Sequence, residues 1–209
     1  MNHLKHFIET NRFPIACYLA STALVLLATW FGLDYLAYAD PTHPPHDQKY
    51  DLAHRWDSRW YLQIAEDGYQ YTGEDQENVA FFPLYPALIA MITKLGIPLG
   101  LNGFLVSHAS FFAALIVFWA YLRSRFPESE SIQKWSLLAT VVFPFGFYFR
   151  FVYTESLFLL TTITAMYLME RRRSLLLIAI SIGLATATRS VGVALVIPFT
   201  MQILSLIHI

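Results

Sequence analysis

Apolar positions in this chain fall into long uncharged runs separated by short charged segments, the pattern of helices surrounded by hydrocarbon rather than amphipathic helices on a soluble core. Residues 13–33 hold no charge over 21 positions, enough at about 1.5 Å per residue to cross a hydrocarbon layer of about 30 Å. Residues 101–122 are a second uncharged run, with His108 in its middle. Three further runs follow, interrupted by Pro144 and Gly146, by Arg150 and Glu155, and by Arg189. We expect five spans, at 13–36, 101–122, 135–152, 154–169 and 174–197.

The polar remainder concentrates at 37–80. Pro41, Pro44 and Pro45 predict an irregular entry, followed by a helix over His54–Tyr69. As a helix, that stretch sets Trp56 and Trp60 on one face and Asp57 and Tyr61 on the neighbouring line. Such rings favour the boundary between hydrocarbon and water. Leu84 to Gly100 is apolar but broken by Lys94, Gly96 and Pro98, and reads as an interfacial or re-entrant piece. Ala37-Tyr-Ala39 resembles a cleavage site, but the first apolar run is longer than a signal core, so a retained anchor is expected.

Composition agrees with the pattern. The 209 residues are 56% hydrophobic and 14% charged, against about a quarter charged in soluble domains. The expected class is an all-α polytopic membrane protein, one transmembrane domain over 1–209 with a loop at 37–100. A net charge of −1 leaves no nucleic-acid footprint, and no nucleic-acid partner is expected. The single cysteine, Cys17, supports neither a disulfide framework nor a cysteine metal site.

Charge also sets the expected orientation. With the N-terminus cytoplasmic, the inner segments hold Lys5, Arg12, Arg123, Arg125, Lys134 and Arg171 to Arg173, eight of the 14 basic residues. Lys49, Arg55, Arg59, Lys94 and Arg150 fall outside, as the positive-inside rule prefers. Asp57 and Glu155 then share the outer side.

Three charges stand out there. Arg189 lies inside the fifth span, where an arginine is costly unless paired or reached by water, and its fork suits a phosphate. The alternative is a side chain snorkelling to the headgroups. Glu155 begins a span, where a helix N-terminus alone would stabilise it; facing the same cavity as Arg189 is the functional alternative. Asp57 is either an acid paired with Arg55 or Arg59, or a general base for an attacking hydroxyl. Glu66 and Asp67 lie further along the helix. His54 and His108 lack ligand spacing, and no phosphate loop, dinucleotide fingerprint or hydrolase motif is present. No cofactor is expected, with a divalent metal left open.

Trp56-Asp-Ser-Arg-Trp-Tyr61, Ala65-Glu-Asp-Gly-Tyr69, Ala80-Phe-Phe-Pro-Leu-Tyr-Pro86, Tyr153-Thr-Glu-Ser-Leu-Phe158 and Ala185-Thr-Ala-Thr-Arg-Ser-Val-Gly192, in this order, resemble the PIG-V-type mannosyltransferases. The resemblance implies a GT-C-type inverting glycosyltransferase. Its donor would be a polyprenyl- or dolichyl-phosphate sugar, its acceptor a lipid or glycan hydroxyl on the non-cytoplasmic face of the bilayer. It implies Asp57 as the catalytic residue, with Arg189, Glu155, Trp56, Trp60, Tyr61, Arg59 and Asp67 around the substrates. Family members run longer, so an N-terminal fragment is expected. Short loops suggest a prokaryotic relative in the inner membrane. The competing class is a transporter or lipid flippase with Arg189 and Glu155 as a charge relay.

Overall fold

A computed structural model describes residues 2–35, 56–71, 73 and 78–207. The expected proline-rich entry, His54 and Arg55 lie outside these. Among the described residues every regular element is helical: α1 (Asn2–Thr10), α2 (Arg12–Tyr35), α3 (Ser58–Asp67), α4 (Leu84–Thr93), α5 (Leu99–Arg125), α6 (Glu130–Val142), α7 (Glu155–Glu170), α8 (Leu175–Thr188) and α9 (Val196–Ile207). The helices α2 and α5 are each long and apolar enough to cross a membrane. The other three expected spans are shorter or broken, and each break has a chemical cause.

The expected span 135–152 stops at Val142. Pro144 removes a donor and pushes its predecessor out of the helical region, and Phe143 accordingly adopts φ −51°, ψ 132°. A short 3-10 turn, Gly146–Phe149, follows. Arg150, counted among the outer-side charges, is buried at 2% exposure. Its Nε donates to Thr22 Oγ1 at 3.2 Å and its NH1 to the Gly146 carbonyl at 2.7 Å, while NH2 donates to Ser21. The guanidinium also lies 4.6 Å from the Phe111 ring centre. It therefore pins α2, α5 and the turn together.

The expected span 174–197 is corrected more sharply. Helix α8 ends at Thr188, Arg189 is extended (φ −152°, ψ 142°), and a 3-10 turn Ser190–Leu195 leads into α9. The chain then runs back. Leu195 and Phe199 pack on Ala165, Ile178 and Ile182, and Gln202 donates to the Met169 carbonyl at 3.1 Å. Met169 lies at the end of α7 opposite Glu155, so α9 returns antiparallel to α8.

Gly192 makes this reversal possible. A Cβ there would sit 2.5 Å from the backbone of Ala185 and Thr186, atoms that cannot swing aside. Gly192→Ala should therefore cost about 1–3 kcal/mol, the range of core overpacking, read as a lower Tm in detergent. Gly183→Ala is the control, since a Cβ there meets nothing within 4 Å and gains helix propensity.

The remaining helices brace one end of the bundle. Prolines in α4 are tolerated because Pro83 caps it and Pro86 sits in its first turn, where amide donors lack partners anyway. The buried Tyr85 hydroxyl donates to the Gly103 carbonyl at 3.0 Å and meets Ser107 Oγ at 2.7 Å. Ser107 in turn donates to the Tyr153 carbonyl at 3.3 Å. Gly103 lets Val152 approach α5, since a Cβ would lie 2.5 Å from a valine methyl. This ladder fixes the segment that leads into Glu155. At the opposite end Arg125 meets Glu170 at 3.9 Å, and the turn after α7 is closed by amide bonds from Arg172 to the Met169 carbonyl and from Arg173 to the Leu168 carbonyl.

Candidate functional site

At the braced end, α3, the start of α7 and the end of α8 converge. The expected helix over 54–69 is narrower, Ser58–Asp67, with Asp57 as its cap residue. The Asp57 carbonyl accepts the amides of Trp60 and Tyr61 at 3.1 and 3.2 Å, whereas its carboxylate makes no capping bond. That carboxylate is exposed at the N-terminal end of α3. Trp56, directly before it, holds the left-handed φ of 54°, an uncommon conformation for a bulky residue and one concentrated at functional sites.

This break separates the two tryptophans that the helical reading put on one face. Trp56 is 67% exposed and leaves the helix. Trp60 stacks on Phe81 with ring centres 6.0 Å apart. Tyr61 is buried between Phe81 and Tyr85, with edge contacts at 5.1 and 5.2 Å. Burial pushes its hydroxyl up to about 12, against a hydrogen bond from Thr154 that lowers it. Tyr61 is thus a neutral phenol at any working pH. The charges of Glu155, Asp57 and Arg189 all act on it, so the three lie within electrostatic range of one phenol.

Glu155 and Arg189, 34 residues apart in sequence, touch directly. Arg189 NH1 donates to Glu155 Oε1 at 2.5 Å and to Thr154 Oγ1 at 3.4 Å. The Arg189 and Glu155 side chains are 41% and 30% exposed, so the pair is partly open to its surroundings rather than in a sealed core. Glu155 Oε2 is buried and has no hydrogen-bond partner, an acceptor left with its desolvation cost unmet. Because the two charges meet at one end of the bundle, they form a local contact and not a line of charges through it.

Ser58, Tyr153 and Thr154 complete the cluster without having been singled out from the sequence. Ser58 is fully buried and shares a hydrogen bond with the Tyr153 hydroxyl, which locks α3 to the entry of α7. Small hydroxyl residues carry no periodic signal; their adjacency to Asp57 and Glu155 was the only hint. Arg150 did carry a signal, a lone charge inside a predicted span. Of the other expected substrate contacts, Asp67 closes α3 about 15 Å along the axis from Asp57, and Arg59, two residues after Asp57, is exposed. Among the described residues no three His, Cys, Asp or Glu side chains converge to hold a metal.

A family profile described as Mannosyltransferase (PIG-V) matches residues 45–208. Among curated proteins, the chain is 31% identical over 186 residues to the GPI alpha-1,6-mannosyltransferase 2 of Homo sapiens. It is 29% identical over 191 residues to the protein of that name from Rattus norvegicus. Each match covers 79% of this chain and 36% of the relative, so the chain spans about a third of the length of the relatives it matches. No solved structure matches.

Proposed function

Because the chain belongs to the PIG-V mannosyltransferase family, we propose that it supplies the acid-bearing half of the site of a membrane glycosyltransferase of inverting GT-C type. The donor is a mannose-like sugar on a polyprenyl or dolichyl phosphate, and the acceptor a hydroxyl of a lipid or glycan. The site faces the non-cytoplasmic side, with the N-terminus cytoplasmic, in the inner membrane of a prokaryote.

Asp57 takes the proton of the acceptor hydroxyl as its oxygen forms a bond to the anomeric carbon. The bond from that carbon to the phosphate oxygen breaks, and the lipid phosphate leaves with the electron pair. Arg189 holds the phosphate with the guanidinium edge turned away from Glu155. Glu155 orients Arg189 through Oε1. Tyr61, a neutral phenol, positions Thr154 and through it the pair.

The contact of Glu155 with Arg189, with Asp57 in electrostatic range of Tyr61 beside them, carries this reading. It is tested with membranes containing the protein and a radiolabelled polyprenyl-phosphate mannose. Arg189→Ala should weaken donor binding at least about tenfold, one bidentate charge-assisted contact. Unchanged donor affinity in that variant would remove Arg189 from the site.

A further inference from the structure

The end of the bundle away from Glu155 and Arg189 carries charge that the proposed reaction does not use. Helix α7 is 16 residues long, which at about 1.5 Å per residue places its far end about 24 Å from Glu155. There Arg123 and Arg125 lie in the last turn of α5, and Arg171, Arg172 and Arg173 form the turn from α7 into α8. The contact of Arg125 with Glu170 at 3.9 Å sets the two groups side by side. All five arginines are exposed. Glu170 partners Arg125, and Glu128 stands in the loop after α5. Among the described residues no ion pair reaches Arg123, Arg171, Arg172 or Arg173.

The turn is built against local preference. Arg172 donates its amide to the Met169 carbonyl and Arg173 to the Leu168 carbonyl, each at 3.0 Å. These are the paired bonds of a helix end whose left-handed residue is usually glycine. Here Arg172 holds that position, at φ 46°, so a guanidinium stands where the backbone favours the absence of a side chain. Just beyond the turn Leu175, Leu176 and Leu177 are exposed. In a bundle that crosses a membrane such side chains face acyl chains, and arginines at the adjoining level face headgroup phosphates.

We propose that this corner binds an anionic phospholipid with two phosphates, of the cardiolipin type, in the leaflet away from the candidate site. One phosphate lies at Arg123 and Arg125, the other at Arg171 to Arg173, and the acyl chains run along Leu175 to Leu177. Two arginine groups on separate elements outnumber what a single phosphodiester engages, and the exposed leucines fit a lipid better than a free anion. The site is independent of Asp57 and of the reaction proposed for it.

The test measures cardiolipin binding to the full chain in detergent by native mass spectrometry, beside thermal unfolding. One cardiolipin should be retained per chain and should raise Tm, whereas phosphatidylglycerol at equal phosphate should bind at least about tenfold more weakly, the loss of one charge-assisted contact. Inorganic pyrophosphate should leave Tm unchanged. Arg172→Gly should keep or raise Tm without lipid, because glycine suits the left-handed position, and should still weaken cardiolipin binding at least about tenfold. Arg171→Gln combined with Arg173→Gln should weaken it further. Lys134→Gln, at the same end but paired with Glu130 at 2.7 Å, should bind as the parent does. Equal binding of phosphatidylglycerol, or an equal loss in Lys134→Gln, would reduce the corner to general charge attraction and overturn the proposal. Stabilisation by pyrophosphate alone would replace the lipid with a free anion, and full cardiolipin binding in Arg172→Gly would remove the turn from the site; either result also overturns it.

Discussion

Asp57→Asn should lower sugar transfer by about 10²- to 10⁴-fold, the contribution of a positioned general base, with membrane insertion and donor affinity unchanged. The substitution is nearly isosteric, and the native carboxylate caps no amide of α3, so the helix has little to lose. What it loses is the carboxylate proposed to take a proton from the attacking hydroxyl. The measurement is single-turnover transfer from labelled polyprenyl-phosphate mannose, beside donor binding to the same preparation. Full transfer in Asp57→Asn would end the assignment. Asp57→Ala should behave alike, because the loss is chemical and not one of packing.

Arg150→Ala should be the most damaging substitution for the fold, lowering stability by at least about 3 kcal/mol. Hydrogen bonds from a charged donor contribute about 1.5–3 kcal/mol each, and Arg150 makes them to Thr22, Gly146 and Ser21. Truncation leaves the Gly146 carbonyl without this partner and strips Phe111 of its cation. Arg150→Lys should rescue little, since one ammonium cannot reproduce a planar fork aimed at three acceptors. Arg150→Met separates the causes: it keeps the stem over Phe111 and removes the cost of burying charge. Thermal unfolding in detergent reads all three. A Met variant as stable as the parent would mean that packing, and not the hydrogen bonds, holds α2 to this turn.

The two residues differ in how far the sequence exposes them. Asp57 stands out in the Trp-Asp-Ser-Arg-Trp-Tyr stretch, because charge amid aromatic rings is rare in so apolar a chain. Arg150 was counted with the outer charges, because nothing in its neighbours reports that Ser21 and Thr22, almost 130 positions earlier, supply its partners. Arg189 lay between these cases. Its presence in an apolar run was visible, but its pairing with Glu155 needed the bundle.

The uncharged runs determined α2 and α5 by themselves, since 20 or more apolar residues in succession have few alternatives to a helix that satisfies its own backbone. Composition and motif order likewise determined the class and the family. Breaks and reversals were decided only by tertiary packing. Pro144 announces that a helix must stop, but not that the chain then buries an arginine. Gly192 reads as a neutral small residue until α8 is found against it. The helix over 54–69 is shorter because Trp56 takes a left-handed φ of 54° and leaves the helix before Asp57. Local chemistry sets which segments are helical, whereas the site consists of the ends of those helices. Which ends meet depends on contacts between residues far apart in sequence, and no local pattern encodes them.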